Sequence, residues 1–401
     1  MKIFAKLMMV AVMGFLVIGG RALAQERAVD PWSLSAMLGS QFSDNRDGTA
    51  DGKESNVDVS LTPRVDLRWR DGERSLLDLF VMPSIKWHSN PRSEDTGNPQ
   101  NDSELFGAVG VDGMHHFTPR VALKAGDGLS YNDDPEISQG GASVRQSASH
   151  WLNDAHAEVA VEITEKVGAS LTGSSLTKRY TDNAVADNQD EDTYNAETAL
   201  KYMTGSGCAL FGMIGYSDFN AQSSGAGARN RGSSVMSYGV GLERLFSPDV
   251  SGKVSGGYQT AEYDDDTVDG TETWNGNAEM TFRAASQTRF RVGGSYGYYS
   301  PNVRPYSIQT LKAVSGAVDH DVLSERLTVT LRGQYSEGEY QAEGADLPGG
   351  VDKLTTVGLS GRYWMNRNWA VQAGYTYENW DSELRDSFDR NLVDVGVTAR
   401  L

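Results

Sequence analysis

The sequence predicts an all-β chain: a transmembrane, antiparallel, up-and-down β-barrel of about eighteen strands with both termini periplasmic. Three observations predict it. An apolar leader opens the chain; from Pro31 to Leu401, runs of about ten to fourteen residues alternate apolar and polar; and tight turns alternate with long acidic loops between the runs. The last run, Asn391 to Leu401, puts Val393, Val395, Val397, Ala399 and Leu401 on one face and Asp394, Gly396, Thr398 and Arg400 on the other. A strand apolar on one side and charged on the other suits a wall between lipid and water.

The leader carries Lys2 and Lys6, an apolar stretch from Leu7 to Gly19, and the small-residue site Ala22-Leu23-Ala24 before Gln25. This is the pattern of a secretory signal cleaved after Ala24. Its apolar core is shorter than the roughly 20 residues of a spanning helix, and Arg21 interrupts it. The expected domains are a signal peptide at 1–24 and an outer-membrane barrel at 25–401, since no linker or compositional break divides the rest. Cleavage removes Lys2, Lys6 and Arg21, leaving 33 basic against 54 acidic residues, a net charge of −21. Nucleic acid is therefore not an expected partner. Cys208 is the single cysteine, which excludes an internal disulfide framework and a CxxC site. With 39% hydrophobic residues the chain is too polar for a helical membrane bundle, but a barrel shows lipid only alternate residues.

The clearest strand is Asn56 to Trp69, where Val57, Val59, Leu61, Pro63, Val65, Leu67 and Trp69 alternate with Asp58, Ser60, Thr62, Arg64, Asp66 and Arg68. No helix sorts these residues onto two faces, and the run is more than twice the usual length of about five or six residues for a soluble strand. The same rule places strands near 31–43, 55–69, 74–88, 103–115, 120–132, 150–163, 167–180, 192–203 and 208–219. It continues with 233–245, 250–263, 271–283, 287–299, 307–318, 324–337, 352–364, 368–380 and 389–401. Eighteen is an even number, as single-chain bacterial barrels require. Short turns such as Arg70-Asp-Gly-Glu73, Ser247-Pro-Asp249 and Met365-Asn-Arg367 alternate with long loops such as Ser89–Asp102 and Gly338–Val351. Outer-membrane barrels keep short turns in the periplasm, so both termini are expected there.

Tryptophans test that orientation. Trp32, Trp69, Trp364 and Trp369 fall at strand ends near the termini or short turns, and Trp87, Trp151, Trp274 and Trp380 at ends near long loops. Two aromatic girdles, one per interface, are the expectation.

About eighteen strands enclose a lumen too wide for side chains to fill. With the apolar face toward lipid, Arg283, Arg289, Arg291, Lys312, Arg326, Arg332, Arg362 and Arg400 form a basic wall inside. Asp58, Asp66, Asp154, Glu158, Glu162 and Glu197 form an acidic wall opposite. Such walls would set a transverse field, and guanidinium groups offer planar donors to carboxylates, sulfates or sugar hydroxyls. The plainer reading is that these charges solvate the lumen and pair across strands. The loop clusters Asp133-Asp134, Asp187–Asp192, Asp264-Asp265-Asp266 and Glu337–Asp346 lack EF-hand spacing and read as solvated loops. The six histidines form no HExxH pattern, and no GxSxG elbow occurs, so no enzyme, metal or cofactor is expected.

The segment Gly361-Arg-Tyr-Trp-Met-Asn-Arg-Asn-Trp-Ala-Val-Gln-Ala-Gly-Tyr-Thr-Tyr377, then Asn379, Ser382, Asp389-Arg-Asn391 and the closing strand, resembles the β-barrel porin type 2 family. The likeness is firmest over about the last forty residues; elsewhere it rests on architecture and on pieces such as Leu61-Thr-Pro-Arg64. Leu401 departs from the aromatic residue that usually ends family members, the feature the barrel-assembly machinery reads. The resemblance implies an outer-membrane porin-like barrel, often associated with exopolysaccharide synthesis and export, and names no catalytic residue. Expected partners are outer-membrane lipid and lipopolysaccharide, the barrel-assembly machinery, and a polysaccharide with its periplasmic export components. Three functional readings stay open: a passive channel serving exopolysaccharide export, a general or nutrient-uptake porin, and a closed structural or adhesive barrel.

Overall fold

A computed structural model of the chain describes residues 31–46, 48–91, 102–132, 149–181, 190–205, 207–221, 232–264, 269–299, 308–323, 326–341, 349–384 and 386–401. The leader and most of the acidic loop clusters lie outside these residues. The strands are β1 (Trp32–Ser43), β2 (Asn56–Asp71), β3 (Ser75–His88), β4 (Ser103–Thr118), β5 (Val121–Asn132), β6 (His150–Thr164), β7 (Val167–Tyr180), β8 (Glu191–Gly205) and β9 (Cys208–Ala221). They continue as β10 (Ser233–Ser247), β11 (Val250–Tyr263), β12 (Thr271–Ala285), β13 (Thr288–Tyr299), β14 (Ile308–Asp321), β15 (Leu327–Gln341), β16 (Gly350–Trp364), β17 (Trp369–Ser382) and β18 (Phe388–Arg400).

Each strand pairs antiparallel with its chain neighbours, and β1 pairs with β18, so the 18-stranded sheet closes on itself. The seam runs from Ser35 opposite Arg400 to Ser43 opposite Leu392. Closure leaves no strand at an open edge of the sheet, which hydrocarbon demands. Count and order match the sequence expectation. The largest shift is at β15, which runs over Leu327–Gln341 where 324–337 is expected, while β14 extends to Asp321 because Asp319, His320 and Asp321 pair with Thr330, Val329 and Thr328. What reads as a loose turn is in part a ladder.

One face of the sheet exposes large apolar side chains, with Val240 and Trp274 each 71% exposed and Leu38, Leu171, Val292 and Leu331 also open. On the other, side chains meet across an intervening strand. Gln372 of β17 reaches Met37 Sδ of β1 at 3.6 Å, and Lys201 Nζ of β8 meets Glu243 of β10 at 2.6 Å. Convergence of next-but-one strands happens on a concave surface, so this polar face is the inside. Glycine permits one of these crossings: a Cβ on Gly396 would stand 3.3 Å from Gln372 Cγ.

The β2–β3 ladder is interrupted between Leu61 opposite Ile85 and Val65 opposite Val81. Pro63 and Pro83 fall in that gap, and neither can donate a ladder hydrogen bond. Thr62 and Ser84 hydroxyls bridge it at 2.8 Å.

All the short turns lie on one rim, and both described chain ends are tied to it: the Leu401 N–H donates to Leu34 O at 2.9 Å and the Arg400 N–H to Asn368 O at 2.7 Å. Burial along the inner face is polarised. Near the long-loop rim the inward Phe106, Tyr180, Phe219, Tyr340, Trp380 and Phe388 are buried, whereas Arg283, Arg289, Arg362 and Arg400 near the short-turn rim are exposed.

Candidate functional site

The inner wall is where polar chemistry gathers. Asp58 meets His88 Nδ1 at 2.7 Å, Asp66 accepts from Arg64 at 2.7 Å, and Glu158 lies 3.3 Å from Lys124 Nζ. Asp154 pairs across the ladder with Gly128, Glu162 with Gly168 and Glu197 with Gly215, all inward, with no ion-pair partner among the described residues. Opposite them, Arg291 holds Asp319 at 2.8 Å, Arg283 stands 3.9 Å from Asp249 and faces Arg289 in the ladder, and Arg362 donates to Gln372 Oε1 at 3.0 Å. Arg400 lies over the Trp364 ring at 4.1 Å, and the Trp364 N–H donates to the carbonyl of Arg326 in the neighbouring turn. Outside the strands, a hydrogen bond from Lys53 to Asp389 raises the ammonium pKa above the usual lysine value and ties the first loop to β18.

Three expected positions are corrected. Lys312 is on the outer face: it pairs with Glu337 at 2.9 Å, one step along the same face from Val314 opposite Tyr335. Sequence alternation fails there because Leu311 and Ala313 make the inward set apolar too. Near the long-loop rim the lysine stem can run along apolar surface while its ammonium stays wet. Trp380 and Trp364 face inward. Trp380 is 1% exposed, packed with Leu354 and Phe388 and stacked on Phe388 with centroids 6.5 Å apart. Trp364 stands in the inward row with Ala370 and supports Arg400. The other six tryptophans are on the outer face at strand ends, Trp151 against Tyr131 at 4.7 Å and Trp274 against Tyr258 at 5.6 Å.

The two walls are also less segregated than the sequence suggested. Arg64, Arg68 and Lys124 stand in the N-terminal wall, and Asp319, Glu378 and Asp394 in the C-terminal one. Parity along the strands carries Arg64, Arg68, Lys124, Glu378 and Asp394, whereas Asp319 falls in what reads as a turn after a strand whose alternation fails. Each wall holds its own counterions, and the field is local.

Register then builds a site that no single strand contains. Glu279, Gly293, Ser315, Gln334, Thr356 and Glu378 are opposite one another in turn from β12 to β17. One step toward the short-turn rim, the row is Thr281, Arg291, Ala317, Arg332, Gly358 and Thr376. Small residues in the middle leave a recess of about 580 Å³. Arg332 is exposed and has no ion-pair partner among the described residues, while Glu378 is held by Arg390 Nε at 2.8 Å. Gly358 supplies the seat, because a Cβ there would stand 2.8 Å from Arg332 Nε.

An apolar belt outside, a closed ladder and a charged, partly open lumen define a porin-like β-barrel of the outer membrane. Residues 35–401 match the family model described as "Putative beta-barrel porin 2", and the chain belongs to that family. No curated protein matches the chain. Among solved structures it is similar to OpdK of Pseudomonas aeruginosa with vanillate, at 10% identity and a TM-score of 0.51, covering 93% of this chain and 100% of that one. It is also similar to Pseudomonas aeruginosa OccK2 in complex with glucuronate, at 12% identity and a TM-score of 0.50, covering 94% and 100%. Acinetobacter baumannii OccAB2 gives 11% identity, a TM-score of 0.50, and 94% and 100% coverage. At such identities the likeness carries the fold alone.

Proposed function

We propose that the protein is a passive outer-membrane channel for small polar solutes, with the short turns and both termini in the periplasm. The inner wall carries the reading: it is lined by charges, some paired locally and some without an ion-pair partner among the described residues, and it is open to solvent toward the short-turn rim, an aqueous passage rather than a packed core. The two hydroxyl–imidazole pairs among the described residues, Ser75 with His115 at 2.9 Å and Thr288 with His320 at 2.8 Å, stand on the outer face and away from the lumen, which favours selection and passage as the work done inside. Purified protein in a planar bilayer should give stepwise conductance; a record indistinguishable from protein-free lipid would leave the closed, adhesive barrel as the better account.

Exopolysaccharide export, with its periplasmic partners, is supported by family association alone. A polymer needs a bore open at both ends, and the buried aromatic residues near the long-loop rim argue for small solutes. Adding neutral polyethylene glycols of rising size separates the two: short ones should lower conductance by entering, and long ones should not. Threading and sustained block by a long polysaccharide would favour export.

A further inference from the structure

The recess between β12 and β17 is stratified by charge. Its row nearer the long-loop rim ends in carboxylates, Glu279 and Glu378, and its row nearer the short-turn rim carries guanidinium groups, Arg291 and Arg332, flanking Ala317. Two of these four charges are already committed, Glu378 to Arg390 and Arg291 to Asp319. Arg332 and Glu279 are left without an ion-pair partner among the described residues, three strands apart across a floor of Gly293, Ser315 and Ala317.

We propose that this recess binds a zwitterionic solute of about dipeptide size, its carboxylate on Arg332 and its ammonium on Glu279. The inference rests on the channel reading and names its substrate class. The backbones of Glu279 and Arg332 are three strand spacings, about 14 Å, apart across the sheet and about 7 Å apart along it, a span that the two long side chains reaching inward close onto the ends of an extended dipeptide. The volume suits such a ligand, and pockets for small molecules start at about 300 Å³. A purely anionic solute would leave Glu279 facing its apolar or like-charged end, and a purely cationic one would leave Arg332 unanswered. Gln334, Thr356 and Thr376 add hydroxyl and amide groups for the peptide backbone between the charged ends. The axial order of charge would also set direction, ammonium toward the long-loop rim and carboxylate toward the short-turn rim.

The test is block of ion current in bilayers by alanylalanine, by its N-acetyl derivative, which is only anionic, and by its C-terminal amide, which is only cationic. Alanylalanine should block at about tenfold lower concentration than either derivative, the worth of one charge-assisted contact. In Arg332→Gln that advantage over the amide should vanish; in Glu279→Gln the advantage over the N-acetyl compound should vanish. Equal block of the wild-type channel by alanylalanine and its N-acetyl form would overturn the proposal in favour of a simple anion site, and conductance without block by any of the three would remove the site while sparing the channel. Absence of conductance would instead sink the channel reading; calorimetric titration of the detergent-solubilised barrel with the same three compounds then decides the recess alone. Heat-shifted gel mobility verifies that each variant has folded.

Discussion

Removing the Trp380 indole would leave a hole lined by Leu354 and Phe388 at a fully enclosed position. Truncation of a buried aromatic side chain costs about 3–5 kcal/mol, so Trp380→Ala should lower the denaturant midpoint of the folded barrel sharply. Trp369→Ala, on the outer face, should cost less, because lipid takes the place of the lost ring. Equal losses in the two variants would mean that Trp380 is not enclosed. Lys312→Met should leave ion selectivity unchanged, since its ammonium is outside the lumen and paired with Glu337. These side chains are also where sequence reading went astray. A tryptophan at a strand end fits an interfacial girdle and an inward plug equally well, and only parity against a fixed neighbour decides. Trp380 shares its parity with Thr376 and Glu378, the inward set, but the expected belt outweighed that count.

At the scale of elements, the strands were legible because each must be apolar on one face over its whole length, 12 residues in β1 and 16 in β2. The recess was not. Gly293, Ser315 and Ala317 are unremarkable within β13 and β14, and they become a floor only once the register sets them side by side. The same register makes a prediction about seating. Gly358→Ala would push a methyl to within 2.8 Å of Arg332 Nε, so the guanidinium must lift from the wall. Single-channel conductance of that variant should fall while its thermal stability stays near wild type, since the flexible side chain yields before the backbone. Unchanged conductance would show that Arg332 does not lie along the path. Replacing Arg289, Arg291 and Arg332 together by glutamine should shift selectivity toward cations, because three positive charges leave that wall and Asp319 loses its counterion. Reversal potentials in a salt gradient read this directly.

For the whole molecule, burial toward one rim and openness toward the other make an asymmetric passage: covered aromatic surface toward the long-loop rim, exposed arginines toward the short-turn rim. Current should therefore rectify. Blocking solutes added from the short-turn side should act at lower concentration than from the long-loop side, and identical block from both sides would exclude a wide inner vestibule. Alternation and loop lengths were enough to read the barrel and its two rims. Local pairing of lumen charges escaped because it depends on which strands are neighbours and at what offset.

The seam between β1 and β18 has a consequence for how the molecule comes into being. Seventeen of the eighteen junctions can zip between chain neighbours, but the last joins Phe42 to Val393, segments from opposite ends of the polypeptide. Until that moment the nascent sheet presents two naked edges, each able to recruit a stranger. Closure is thus a late and slow commitment, and a chain cut short before Phe388 should accumulate as aggregates in the periplasm instead of reaching the membrane. The final thirteen-residue strand is the clasp, and its delivery decides whether the other seventeen become a vessel or a hazard.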